Sequence, residues 1–221
     1  MRHALEADHV AAVAALATGS RGTRQTVHLG LAWGVGHTLT IFAVSGAVLS
    51  AGTVVPERIA AGLEAVVGVM LILLGADVIR HMVRDKVHFH RHRHGGKSHF
   101  HAHSHSGEDN HEASQHRHPH ERRMTWRALF VGSVHGLAGS AALVLLTLGG
   151  IGSPGLGIGY IALFGIGSLL GMAVLSSAIS VPLRLTASRL TWAYNGLTGT
   201  VGLVSVCLGA LLFIEKVSLI G

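Results

Sequence analysis

The chain has 221 residues, 49% hydrophobic and only 13% charged, and a soluble domain of this size would struggle to stay in solution with so little charge. Its net charge is +6, yet Lys and Arg are sorted by loop along the chain, so the composition points to an integral membrane protein in a lipid bilayer and against a nucleic-acid partner. The single cysteine, Cys207, excludes an intrachain disulfide and is expected to pack inside an apolar helix.

The first apolar stretch, residues 4 to 19, is shorter than the ~20 residues that cross a hydrocarbon core. It opens with His3-Ala4-Leu5-Glu6-Ala7-Asp8-His9, and two imidazoles with a carboxylate are the donor types that bind borderline divalent metals. Ionisable side chains are costly in a bilayer and tend to line substrate paths, so this cluster is the leading functional feature. The alternative is that these residues cap and solvate a helix end. On a straight helix, at about 100° per residue, Asp8 lies about 140° and His9 about 240° from His3. Convergence on one ion therefore requires the chain around His3 to be non-helical and folded back, as in the broken helices that line transporter cavities. Glu6, one turn before His9, is either an acceptor that fixes the His9 tautomer or a solvated surface residue. A free amino terminus at Met1-Arg2-His3 offers a separate option, the square-planar nitrogen set favoured by Ni(II) and Cu(II).

The second stretch, 26 to 51, places His37 in mid-span directly after Gly34-Val35-Gly36. His37 is either a further ligand for the same ion or an interhelical hydrogen-bond partner; His28, nine residues earlier, falls on the opposite face. The third stretch, 59 to 79, carries Glu64 and Asp77, candidates for relaying protons or counter-charging a path, with Asp77 expected in an interfacial ion pair near Arg80 and His81. Between His88 and His120 lie twelve histidines among polar residues. Such a segment cannot bury a core and is expected to be disordered, binding transition metals weakly at many sites. Stretches 126 to 149, 156 to 182 and 196 to 214 follow, with His135 in the first of them. Glycines recur as Gly30-x3-Gly34, Gly132-x3-Gly136, Gly155-x3-Gly159 and Gly167-x3-Gly171, spacings that let helix backbones approach closely.

The two halves are weakly self-similar. His3-Ala4-Leu5 answers to His135-Gly136-Leu137, Leu31 to Ser45 runs against Ala162 to Ser176 with His37 opposite Ser168, and Val67-Gly68 and Gly75-Ala76 match Val201-Gly202 and Gly209-Ala210. Three spans per half is an odd number, so the halves are expected in opposite orientations, as in many secondary transporters. His135 lies about nine residues inside its span whereas His3 has two residues before it, so the first span is expected to start unwound or to lack residues of a complete first helix. Arg21 and Arg24, ten basic residues from Arg80 to Arg127, and Arg184 and Arg189 fall in alternate loops, against Arg2, Arg58 and Lys216 opposite. The positive-inside rule puts the His-rich loop in the cytoplasm and both termini outside. The expected fold is thus an all-α integral membrane protein of about six transmembrane helices, two inverted three-helix repeats (1–82 and 125–221) joined by a disordered His-rich loop (83–124).

With these residues assembled, the chain resembles the nickel/cobalt transporter superfamily, and particularly its UreH-like branch associated with urease. The family signature His-x4-Asp-His is matched by His3, Asp8 and His9 within RHALEADHVAAV, the Gly-His of the next helix by Gly36-His37, and a second-half motif by His135 to Leu143. The resemblance implies a multi-pass permease of a prokaryotic cytoplasmic membrane for Ni(II), with Co(II) as the second candidate, and places the signature residues at the selectivity site. The expected metal set is His3, Asp8, His9, His37 and His135, with the ion as transported substrate and no resident cofactor. No Walker-type Gly-x4-Gly-Lys-Ser/Thr is present, so transport without ATP hydrolysis is expected, and the absence of His-Glu-x-x-His speaks against a metalloenzyme. Uptake is the favoured direction. Efflux through the same site and an accessory role, delivering nickel to urease with its maturation proteins, are the alternatives.

Overall fold

The computed structural model describes residues 5–20, 22–51, 55–85, 88–94, 97–103, 120–150, 154–189 and 191–220. The elements in chain order are α1 (Ala7–Thr18), α2 (Thr23–Ala51), α3 (Glu57–Asp85), β1 (His88–His94), β2 (Lys97–His103), α4 (His120–Gly150), α5 (Pro154–Arg189) and α6 (Thr191–Ser218). Among the described residues, four helices are long and apolar enough to cross a membrane: Thr23–Val48, Glu57–Arg84, Gly155–Thr186 and Trp192–Ser218. The α4 helix, 31 residues long, opens on His120-Glu121-Arg122-Arg123 and is not among these four.

The α1 helix has 12 residues, about 18 Å at 1.5 Å per residue, or roughly half of a ~30 Å hydrocarbon core. Among the described residues the first of the six expected spans is therefore a half-length helix. It ends because Thr18-Gly19-Ser20 supplies polar terminators: Thr18 Oγ1 donates to the Ala15 carbonyl at 2.8 Å, Ser20 Oγ donates to the Ala17 carbonyl at 2.8 Å, and the Ser20 and Thr26 hydroxyls pair at 2.5 Å. Its alanine-rich body, Ala11, Ala12, Val13 and Leu16 included, is buried among the other helices. The Ser205 hydroxyl of α6 donates to the Ala11 carbonyl at 3.4 Å, and Tyr194 Oη donates to Thr18 at 3.2 Å.

Around α1, the α2 helix packs on α4 and α5, and α3 packs on α6. Glycine sets these crossings. A Cβ on Gly68 would lie 2.8 Å from the Gly209 carbonyl oxygen and one on Gly209 would lie 2.5 Å from that of Gly68; one on Gly75 would lie 2.5 Å from the Gly202 carbonyl and one on Gly202 3.1 Å from that of Gly75. Backbone therefore meets backbone twice along the antiparallel α3–α6 seam. On the α2–α5 seam, Gly30 meets Ser176, Gly34 meets Leu169 at 2.8 Å, and Gly165 meets Thr38. The expectation of close approach fails at Gly159 and Gly167, where a Cβ would meet nothing within 4 Å; both point away from the seams.

The bundle buries polar side chains within its apolar core and is apolar on its outer surface. His9, His37, Ser45, His135, Ser168, Ser176 and Ser205 are buried, while Leu39, Phe42, Leu73, Phe130, Leu163 and Leu211 are exposed. An apolar outer surface of this kind suits lipid rather than water, and with the four candidate spans it makes this a membrane protein. Cys207 departs from expectation: it lies on the exposed side of α6, because an apolar run alone does not say which azimuth of the helix faces inward.

The His-rich loop also corrects an expectation. Instead of disorder throughout, residues 88–94 and 97–103 form an antiparallel hairpin that pairs His88 with His103, His90 with His101 and His92 with His99. Histidine at every second position gives the two-residue period of a strand; residues 95–96, between the strands, lie outside the described residues. Residues 104–119 lie outside the described residues.

Candidate metal centre

Three helices bring the site together. The chain enters α1 through extended backbone at Glu6 (φ −62°, ψ 146°), so Asp8 and His9 occupy the first helical turn. There the Asp8 carboxylate folds back: Oδ1 accepts from the His9 backbone N–H at 2.9 Å and from the His9 Nδ1–H at 3.0 Å. Its second oxygen, Oδ2, accepts from His135 Nε2–H of α4 at 2.9 Å, across 127 residues of sequence. Asp8 thus serves as the acceptor that orients two imidazoles, the role weighed for Glu6, while Glu6 itself is exposed at the mouth of α1.

One donor atom from each of Asp8, His9 and His135 lies within 4.8 Å of the others. Donors around a single ion at about 2.1 Å stand about 3 to 3.5 Å apart, so a small inward adjustment of these side chains gathers them on one cation. His37 of α2 completes the cluster, with its ring centroid 5.3 Å from that of His9 and 5.9 Å from that of His135. The three imidazoles are buried, His9 1% exposed, His37 0% and His135 2%, whereas the Asp8 carboxylate is 30% exposed. Imidazole with carboxylate suits Zn, Ni, Co and Cu rather than Mg or Ca, and a dry setting strengthens each electrostatic contact.

The α2–α4 crossing sets the spacing of the rings. Gly132 and Gly136 flank His135 by one turn and one residue. A Cβ on Gly132 would strike the Trp33 carbonyl, and one on Gly136 would stand 2.5 Å from the His37 carbonyl oxygen and 3.1 Å from its Cα. Without side chains at these two positions, the α4 backbone rests directly on the turn of α2 that carries Trp33 and His37. Trp33, which the sequence did not single out, walls the site with ring centroids 4.9 to 5.3 Å from the three histidines. The only available signal was an aromatic one turn before His37 on the same helix.

Four of the five expected metal residues, Asp8, His9, His37 and His135, come together. His3, the fifth, lies outside the described residues, as do Met1 and Arg2. His28 is exposed on the other side of α2. The remaining membrane carboxylates act elsewhere as cross-links: Glu64 of α3 pairs with Lys216 of α6 at 2.7 Å, and Asp77 of α3 pairs with Arg127 of α4 at 2.6 Å and with His81 at 3.2 Å. Asp77 does form the expected ion pair, but its strongest partner is Arg127 across the bundle rather than Arg80 on its own helix.

No protein-family model matches the chain, and no solved structure does. A curated relative, the urease accessory protein UreH of Bacillus sp. (strain TB-90), is 31% identical over 215 residues, covering 95% of this chain and 84% of that protein. The chain therefore belongs to the nickel/cobalt transporter family, in its UreH-like branch.

Proposed function

We propose that this protein is a permease of the cytoplasmic membrane that takes up Ni(II), with Co(II) as the second cargo, through the centre made by Asp8, His9, His37 and His135. The observation that carries this reading is one carboxylate and two buried imidazoles, Asp8, His9 and His135, whose donor atoms lie within 4.8 Å of one another, with the buried His37 ring beside them, inside a bundle whose outer face is apolar. Polar donors in such a position replace the water around a cation, and neutral imidazoles do so without trapping it too tightly for release. The family is one of transporters and accessory proteins, not enzymes.

The helices are read as two inverted three-helix repeats, α1–α3 and α4–α6. In support, the contact of Gly68 with Gly209 has its repeat counterpart in that of Gly202 with Gly75, and the contact of Gly34 with Leu169 has its counterpart in that of Gly165 with Thr38. Helices related by a two-fold axis in the membrane plane make each contact twice in this way. The basic loops, including the one that carries the hairpin, are assigned to the cytoplasm.

The test is nickel flux into vesicles holding equal amounts of each variant. His9→Ala, Asp8→Ala, His37→Ala and His135→Ala are each expected to weaken nickel binding at least 10- to 100-fold, the loss typical even of outer partners of a metal site, whereas His28→Ala leaves it unchanged. Wild-type flux and affinity in His9→Ala and Asp8→Ala would place the site elsewhere. Cellular nickel then separates the readings: it rises with uptake, falls with efflux, and stays constant for an accessory protein that hands nickel to urease, the role in the relative's name.

A further inference from the structure

Trp33 heads the largest fully buried side chains of the described bundle, yet it offers no donor to a cation. It sits one turn before His37 on α2, so the two rings share a helix face. The indole lies nearly parallel to the His37 imidazole, with centroids 4.9 Å apart and planes inclined by 12°. It meets His9 edgewise at 5.2 Å and 71°, and His135 at 5.3 Å and 62°. Its Nε1–H has no hydrogen-bond partner among the described residues, whereas a buried tryptophan usually finds one. Contacts with three imidazoles, and not a hydrogen bond, therefore hold the ring in place. The α4 backbone at Gly132, pressed on the Trp33 carbonyl, fixes the α2 backbone from which the ring projects.

Imidazole binds a cation in the plane of its ring, so a parallel stack that sets this plane sets the direction of the nitrogen lone pair. The stack also distinguishes the empty from the loaded site. A bound cation draws electron density from the imidazole, and the electron-rich indole face favours the more positive ring. We infer that Trp33 is a positioning residue of the cation centre, holding the plane of His37 and favouring its metal-bound form. The inference rests on the transport-site reading above and adds a residue that supplies no ligand.

The experiment uses the full chain purified in detergent, with Co(II) as probe. The chain has three tryptophans, and Trp126 and Trp192 are exposed, so Trp126→Phe with Trp192→Phe leaves Trp33 as the sole emitter. Its fluorescence is expected to quench saturably, in step with one bound Co(II) per chain counted by mass spectrometry. Trp33→Leu, which keeps apolar bulk without a ring, is expected to weaken Co(II) binding about tenfold, the lower end for residues that orient metal ligands, and to shift the Co(II) d–d absorption. Trp33→Phe keeps a smaller stacking face and is expected to fall between, about threefold weaker with a smaller shift. If Trp33→Leu elutes as aggregate, Trp33→Phe decides. A folded variant with wild-type affinity and wild-type absorption, or Co(II) binding without quenching of Trp33, overturns the inference. The two readings fail differently. His9→Ala binding Co(II) as tightly as wild type sinks the site itself, whereas loss in His9→Ala with no change in either Trp33 variant sinks only the role of Trp33.

Discussion

One methyl group at position 136 tests whether the α2–α4 contact sets the geometry of the centre. The added Cβ of Gly136→Ala would stand 2.5 Å from the His37 carbonyl oxygen, and ordinary contact begins at 3.4 Å, so the helices must part by about 0.9 Å at that point. The Thr40 Cβ, 3.1 Å from the same position, blocks escape to one side. His135 is the preceding residue and His37 the residue struck, so the separation opens directly between two imidazoles of the cluster. Metal–ligand distances tolerate only about ±0.2 Å, so a shift several times larger costs a bond or bends the site. Nickel affinity should fall about 10-fold or more, as when a partner that orients a ligand is lost. Stability should change less: overpacking costs about 1 to 3 kcal/mol, and replacing a helical glycine by alanine returns up to about 1 kcal/mol. Gly167→Ala is the control. It makes the same chemical change where a Cβ meets nothing within 4 Å and should be neutral to slightly stabilising, with wild-type affinity. Nickel binding counted by mass spectrometry, with thermal unfolding in detergent, separates the two variants. Wild-type nickel affinity in Gly136→Ala would refute the claim that this crossing spaces the ligands.

Much of the site was legible in the sequence because its parts are chemically out of place: Asp8, His9, His37 and His135 are polar ligand types within apolar helices. Gly30, Gly34, Gly132 and Gly136 were legible as close approaches because their spacing of four keeps each pair on one helix face. The link from Asp8 to His135 was not, since it spans 127 residues and local periodicity carries no information about such a contact. Trp33 escaped because an aromatic in an apolar span is ordinary, and only the α4 backbone makes it a wall of the site. At the hairpin, composition and periodicity disagree: polarity argues disorder, but the alternation of histidine in 88–94 and 97–103 is a strand signal in the sequence itself. Which of the six helices would be half-length was legible at the amino-terminal end, where Thr18-Gly19-Ser20 stops a short apolar run.

Asp77→Asn should leave nickel flux unchanged, because its pairs with Arg127 and His81 are partly exposed and such ion pairs contribute only about 0 to 1 kcal/mol; a large loss of flux would put Asp77 on the path. Deleting residues 88–120 should leave the bundle folded and flux substantial at high nickel, since of the helices that build the centre it removes only His120, the first residue of α4, and complete loss from a well-expressed deletion would make the hairpin part of the path. Labelling of single cysteines in a Cys207→Ser background should find position 105 on the cytoplasmic side and position 221 outside, and the reverse pattern would overturn the orientation. Ser168→His tests whether the halves of the bundle hold one site or two. Ser168 is the repeat counterpart of His37 and is buried, so the variant restores an imidazole to the second half. The counterparts of Asp8 and His9, however, are Ser140 and Ala141, which offer neither carboxylate nor imidazole, and one added ligand cannot strip a divalent ion of its water. Bound nickel should therefore remain at one ion per chain. A second ion bound with comparable affinity would mean that the scaffold, and not the Asp8–His9–His135 cluster, supplies most of the binding, and the reading of a single asymmetric centre would fall.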